Sequence, residues 1–136
     1  MKFRVSDYTK SQTAQRKGID NSVPNQLILR RLISLHTNIV GKILCGFPDV
    51  VINSGYRCPK LNKAIGSSSK SQHTKGQAVD LEVPGVSNFK LWQWCKKNLD
   101  YDQLILEFYK KGQPSSGWVH ISYVSPEENR RQAFKI

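Results

Sequence analysis

Residues 71–83 read Ser-Gln-His-Thr-Lys-Gly-Gln-Ala-Val-Asp-Leu-Glu-Val, a polar turn followed by an alternating run. The second half alternates. Val79, Leu81 and Val83 fall on one face of an extended chain, and Ala78, Asp80 and Glu82 on the other. The pattern predicts a strand over 77–83 with one buried face, ended by Pro84-Gly85. The first half closes a polar run over 66–76, GSSSKSQHTKG, which predicts an irregular loop. A histidine-bearing loop therefore runs straight into a strand that carries a carboxylate at its middle.

Outward from this stretch, the chain alternates helical and extended patterns. Ser6-Asp7 marks a helix start and Gly18 a stop. From Ser22 a long amphipathic helix is expected, with Ser22 as its cap and Pro24 in its first turn. Ile28, Leu32, Leu35, Ile39 and Ile43 form its buried stripe, and Gly46 with Pro48 ends it. Residues 49–53 read as a short strand and Pro59 to Ile65 as a short helix. After Ser87 comes a helix over 88–99, with Phe89, Trp92 and Leu99 as core candidates. Two hairpin-linked strands follow, DQLILEFY and GWVHISY, and Ser125 to Glu128 resembles a capping box that opens a last helical turn. The sum is an α+β domain, a small antiparallel sheet flanked by helices, spanning residues 1–136 as one unit.

Composition excludes several classes. With 136 residues the chain has room for one core of ordinary size. Its 3 Trp, 5 Tyr and 5 Phe argue against disorder throughout, and no apolar run is long enough to span a bilayer. The N-terminal stretch lacks the apolar segment of a secretory signal, so synthesis in a cytoplasm is expected. Lys and Arg number 21 against 10 acidic residues, a net +11 that attracts polyanions. No acidic residue falls between Asp49 and Asp80, where Arg57, Lys60, Lys63, Lys70 and Lys75 lie. The three cysteines, Cys45, Cys58 and Cys95, have no CxxC spacing, which argues against a disulfide framework and a thiolate zinc site while leaving one bridge open.

Of three histidines, His36 lies within the long helix and reads as structural or surface-exposed. His73, in the loop, and His120, in a strand, combine with Asp80 into a sufficient donor set for a catalytic zinc. Taken singly, a loop histidine is usually solvated and a strand aspartate usually pairs with a base.

The motifs together are more specific. Ser71-Gln-His73-Thr-Lys-Gly76-Gln-Ala78-Val-Asp80 resembles the SxHxxGxAxD signature of the D-Ala-D-Ala metallopeptidase family of zinc enzymes. Ser54-Gly55-Tyr56-Arg57 is similar to the SGYR segment that precedes it, and Trp118-Val119-His120 to the closing WxH. Ser11 to Ala14 and Gly18 to Asn21 resemble single-domain members common in phages, so the likeness runs from about residue 6 to residue 123.

The resemblance implies a hedgehog/DD-peptidase-like fold and a Zn²⁺ held by His73, Asp80 and His120, acidifying a water and polarising the scissile carbonyl. It implies that Arg57 clamps a substrate carboxylate or carbonyl. Ser71 is a candidate substrate contact and Trp118 a candidate wall of the groove. The acid found in several branches three residues before the last histidine is missing, because Gly117 occupies that position. Glu107 is the substitute general base, since a hairpin turning at Gln113-Pro114 sets it directly across from His120. Glu82 ranks second, and Cys58 reads as a bystander.

The expected function is hydrolysis of peptidoglycan peptides, by an endopeptidase with D-Ala-D-Ala carboxypeptidase as runner-up, as a phage lysin released by a holin or as a virion component, acting as a monomer. Its basic charge would hold it to anionic cell-wall or outer-membrane surfaces; a nucleic-acid partner would explain the charge but not the motifs. The alternative is a non-catalytic zinc domain of the same fold, kept in view by Gly117.

Overall fold

A computed structural model describes residues 2–136. Two short helices come first, α1 (Val5–Thr9) and α2 (Gln12–Lys17). Ser11 caps α2 by accepting from the Ala14 amide, and Gly18 ends it in a left-handed conformation. The long helical run follows as α3 (Gln26–Leu35), a π-helical turn (His36–Val40) and α4 (Gly41–Gly46). Its cap is Asn25, whose side chain accepts from the Ile28 amide, so Ser22 and Pro24 precede the helix and do not open it. The expected stripe of Ile28, Leu32, Leu35, Ile39 and Ile43 is buried throughout. The π turn closes on Gly41, whose amide donates to the His36 carbonyl; a Cβ at 41 would crowd that oxygen at 3.0 Å. His36 is buried and pairs through Nδ1 with the Tyr8 hydroxyl at 2.6 Å, tying α1 to the helical run.

The remaining elements are β1 (Val51–Ser54), α5 (Pro59–Ala64), a 3-10 turn (Gln72–Lys75), β2 (Ala78–Glu82), α6 (Asn88–Asn98), β3 (Gln103–Glu107), β4 (Trp118–Ser122) and β5 (Gln132–Lys135). They form one sheet in the order β1-β2-β4-β3-β5. Neighbours are antiparallel except β3 and β5, which run parallel, so the α+β architecture carries a mixed sheet. No strand was expected at β5. Ser125 Oγ does accept from the Glu128 amide, as a cap would, and donates to Glu128 Oε1, but these bonds close a turn, and the chain leaves it extended. Asp102 directs that exit: its buried carboxylate accepts from Arg130 Nε, Nη2 and backbone N at 2.7–2.9 Å.

Val79 and Leu81 of β2, Leu104 and Leu106 of β3, and Val119 and Ile121 of β4 share one face by register and are fully or almost fully buried. They join Leu32, Leu35, Ile39, Ile43, Leu91, Trp92 and Cys95 of the helices in one core cluster. The three cysteines are free, and Cys58 has a structural part, its Sγ capping α5 by accepting from the Leu61 amide. Asp80, His120 and Ile105 lie side by side on the opposite face.

Candidate metal centre

Each donor is positioned by a different local device. Ser71 Oγ accepts from the His73 amide and Thr74 Oγ1 donates to the Ser71 carbonyl, which winds residues 72–75 into a tight turn. Gly76 ends that turn with φ of +72°, and a Cβ there would sit 3.2 Å from Ile28 Cγ2. His73 is thereby buried, and its Nδ1 lies 2.7 Å from the Gly55 carbonyl oxygen. A carbonyl only accepts, so Nδ1 carries a proton and Nε2 is the nitrogen that faces Asp80. Asp80 and His120 are partners in the β2–β4 register, and β1 bulges opposite them where Ser54 meets Asp80.

The result is a compact donor set. Asp80 Oδ1 lies 3.0 Å from His120 Nδ1 and 3.3 Å from His73 Nε2, and ligand atoms of all three residues fall within 4.8 Å of one another. Burial by itself would raise the Asp80 carboxyl, but hydrogen bonds and charge from His120 and His73 outweigh it and hold the group well below the usual carboxylate range. His73 Nε2 and the Asp80 oxygen face each other at 3.3 Å, close enough for one cation to bind both. Two imidazoles and one carboxylate suit Zn²⁺, and the partial exposure of Asp80 and His120 leaves a side open for water or substrate.

Arg57 stands beside this set. Its amide donates to the His73 carbonyl at 3.1 Å and its Nη2 to Ser71 Oγ at 3.4 Å. Burial pulls the guanidinium below its ordinary value, and the Asp80 and Glu107 carboxylates draw it part of the way back. Its Nε is buried without a partner. Ser71, expected as a substrate contact, is engaged by the His73 amide and by Arg57.

Glu107 reaches the centre by a register that differs from the expected one. Ile105, not Glu107, is the partner of His120, and Glu107 pairs with Trp118. A shift of two residues preserves the face. Glu107 Oε2 consequently lies 3.9 Å from His120 Nδ1 and accepts from the Trp118 indole N–H at 2.9 Å. Trp118, expected as a groove wall, thus also orients the carboxylate. Glu82 lies away from the centre and lines a groove of about 350 Å³ with Pro84, Ser87 and Pro114.

The missing acid at 117 has a steric cause. Gly117 has φ of +67°, and any Cβ there would overlap the Glu107 carbonyl oxygen, so no side chain fits. The Gly55 carbonyl and the Trp118 indole were not legible as orienting groups. Their only sequence signal is proximity to a motif residue, His73 through SGYR and Glu107 through WVH.

A family model described as Peptidase M15 matches residues 1–122 of the chain. Among curated proteins none matches it. That span contains SGYR, His73, Asp80, Glu107 and His120, and its donor set is one that can hold a zinc ion. The chain belongs to the Peptidase M15 family, and is a metallopeptidase of the zinc-dependent kind.

Proposed function

We propose that this protein hydrolyses peptide bonds in bacterial peptidoglycan, cutting stem or cross-link peptides as a lysin-type cell-wall hydrolase. The observation that carries the reading is the convergence of Glu107 and Arg57 on the His73–Asp80–His120 set. His73, Asp80 and His120 hold the zinc, which when bound polarises the scissile carbonyl and acidifies water. Arg57 binds a peptide carboxylate or carbonyl oxygen through its guanidinium, with Ser71 Oγ steadying Nη2. Glu107 accepts a proton from the attacking water as its oxygen bonds to the carbonyl carbon, and delivers it to the departing amine as the C–N bond breaks. Trp118 holds the Glu107 carboxylate in place for both transfers.

The non-catalytic alternative rests on the absence of an acid at Gly117. Glu107, 3.9 Å from His120, supplies a carboxylate by another route and favours the enzyme. Arg57 suits a carboxypeptidase as well as an endopeptidase, and the endopeptidase is the reading preferred. The net charge of +11 supports retention on anionic wall surfaces, and among the described residues no helix is long and apolar enough to cross a membrane. Action after release from a host cytoplasm, or from a virion, completes the proposal.

The test is mass spectrometry of muropeptides from purified walls digested with the zinc-loaded protein. New termini in the stem or cross-link peptides are expected, with about one Zn per chain by metal analysis. Intact muropeptides at full zinc occupancy would overturn the peptidoglycan reading. Salt adds a check: activity on whole walls should fall more steeply with ionic strength than activity on a small peptide.

A further inference from the structure

Beside the metal centre, around Trp118, lies an apolar surface that the core does not use. Leu104 and Leu106 of β3 face the core, so alternation assigns Phe108 to the same buried side. Instead Phe108 has φ of +55°, in the left-handed region that a bulky side chain rarely adopts, and its side chain is 62% exposed. Two contacts impose this backbone. The Phe108 amide donates to the Ile136 carbonyl at 3.0 Å, and the Gly117 backbone packs closely against Glu107, Phe108 and Tyr109. The turn carries the ring out of the core to a position 5.3 Å from the ring of Trp118, the residue bonded to Glu107. Backbone strain that exposes an apolar ring destabilises the fold, and such strain collects at functional sites.

The surface continues along the open face. Ile105 sits between His120 on β4 and Phe134 on β5, and Phe134 is exposed. The one polar atom of the Trp118 side chain is engaged by Glu107, and the other three side chains have none. The three strands span roughly 10 Å, the width of two interstrand spacings. An alkyl chain of four or more carbons lies against adjacent members of that row, whereas a methyl group touches only one.

We propose that Phe108, Trp118, Ile105 and Phe134 form a specificity shelf that binds a long aliphatic side chain of the substrate peptide, next to the scissile bond. In a wall peptide built otherwise from alanine and glutamate, that chain belongs to the diamino acid, and its ammonium can rest over the aromatic faces. This identification of the residue rests on the peptidoglycan reading; the shelf itself does not.

The test is a series of otherwise identical acetylated peptides carrying Gly, Ala, norleucine or Lys at one position. Their affinity for the zinc-loaded protein is measured by calorimetry, and their cleavage by chromatography. The wild type should favour norleucine and Lys over Gly by roughly ten-fold. Phe108→Ala should bring that ratio close to one. Phe108→Gly, which relaxes the left-handed backbone, should do the same and guards against a folding defect in the first variant. Absence of preference in the wild type, or a preference undiminished in both variants, overturns the shelf. A preference lost in both variants while walls remain uncut leaves the shelf standing and removes only the peptidoglycan reading.

Discussion

Trp118 and Glu107 face each other across β4 and β3, and the indole N–H donates to the carboxylate at 2.9 Å, with His120 Nδ1 3.9 Å from the same oxygen. One oxygen of the proposed base is thus held, and the other is left for the proton. Without the indole, the carboxylate gains rotamers that point away from the scissile bond.

Trp118→Phe keeps the ring and deletes the donor. A loss of about ten-fold in kcat is expected, with zinc content unchanged, because one charge-assisted hydrogen bond orients the group and none binds the metal. Glu107→Gln keeps the shape and removes the base, and hydrolysis should fall by about 10²–10⁴-fold at full zinc occupancy. Steady-state kinetics with metal analysis checks both. Undiminished turnover in Glu107→Gln would place the base elsewhere.

Gly117→Asp restores the acid of other family branches by sequence and should abolish, not enhance, activity. The new Cβ overlaps the Glu107 carbonyl, and the left-handed backbone resists any side chain. Gly117→Ala, which carries only the Cβ, should already destabilise by about 3 kcal/mol or more, read from chemical denaturation.

Asp102 couples stability to pH. Hydrogen bonds from Arg130 lead the causes that lower its carboxyl to about 2, against partial opposition from burial and with help from Gln72. Because the folded value lies below the ordinary one, the stabilisation is complete above pH of about 4 and is lost as pH falls towards 2. Asp102→Asn should cost about 3 kcal/mol at neutral pH and flatten the stability profile across that acid window. Urea denaturation at a series of pH values measures both effects. Loosening β5 in this variant should also free Phe108, whose amide is bonded to Ile136.

Gly55 links α1 to the metal centre. Its neighbour Tyr56 donates to the Tyr8 carbonyl at 2.6 Å, and a Cβ at 55 would approach Tyr8 Cα to 2.8 Å. Gly55→Ala should push α1 away at a cost of about 2 kcal/mol. It should also shift the carbonyl that fixes the His73 tautomer, weakening zinc binding by about ten-fold in competition with a chromophoric chelator.

Much of the architecture was legible because it is written in local periodicity. The stripe from Ile28 to Ile43 and the alternation from Ala78 to Glu82 each follow from the repeat of a single element. The start at Asn25 was displaced from Ser22 because several residues near Pro24 can cap a helix, and packing selects among them. The strand over 132–135 was missed for a different reason. Four residues, three exposed and one half-buried, carry too little alternation to mark a strand, and its pairing depends on Asp102 about thirty positions earlier.

For the site, residue types and their order are legible along the chain: His73, Asp80 and His120 with Arg57 before them, and Asp80 on the polar face of its strand. Which side chains meet follows from the folded arrangement. The β3–β4 register set Trp118 against Glu107, the Gly55 carbonyl fixed the protonated nitrogen of His73, and the crossing at Gly117 closed that position to any acid. Periodicity is a property of contiguous backbone and survives in one dimension. Register, tautomer and left-handed turns are set by contacts between segments far apart in the chain, and only folding brings those segments together.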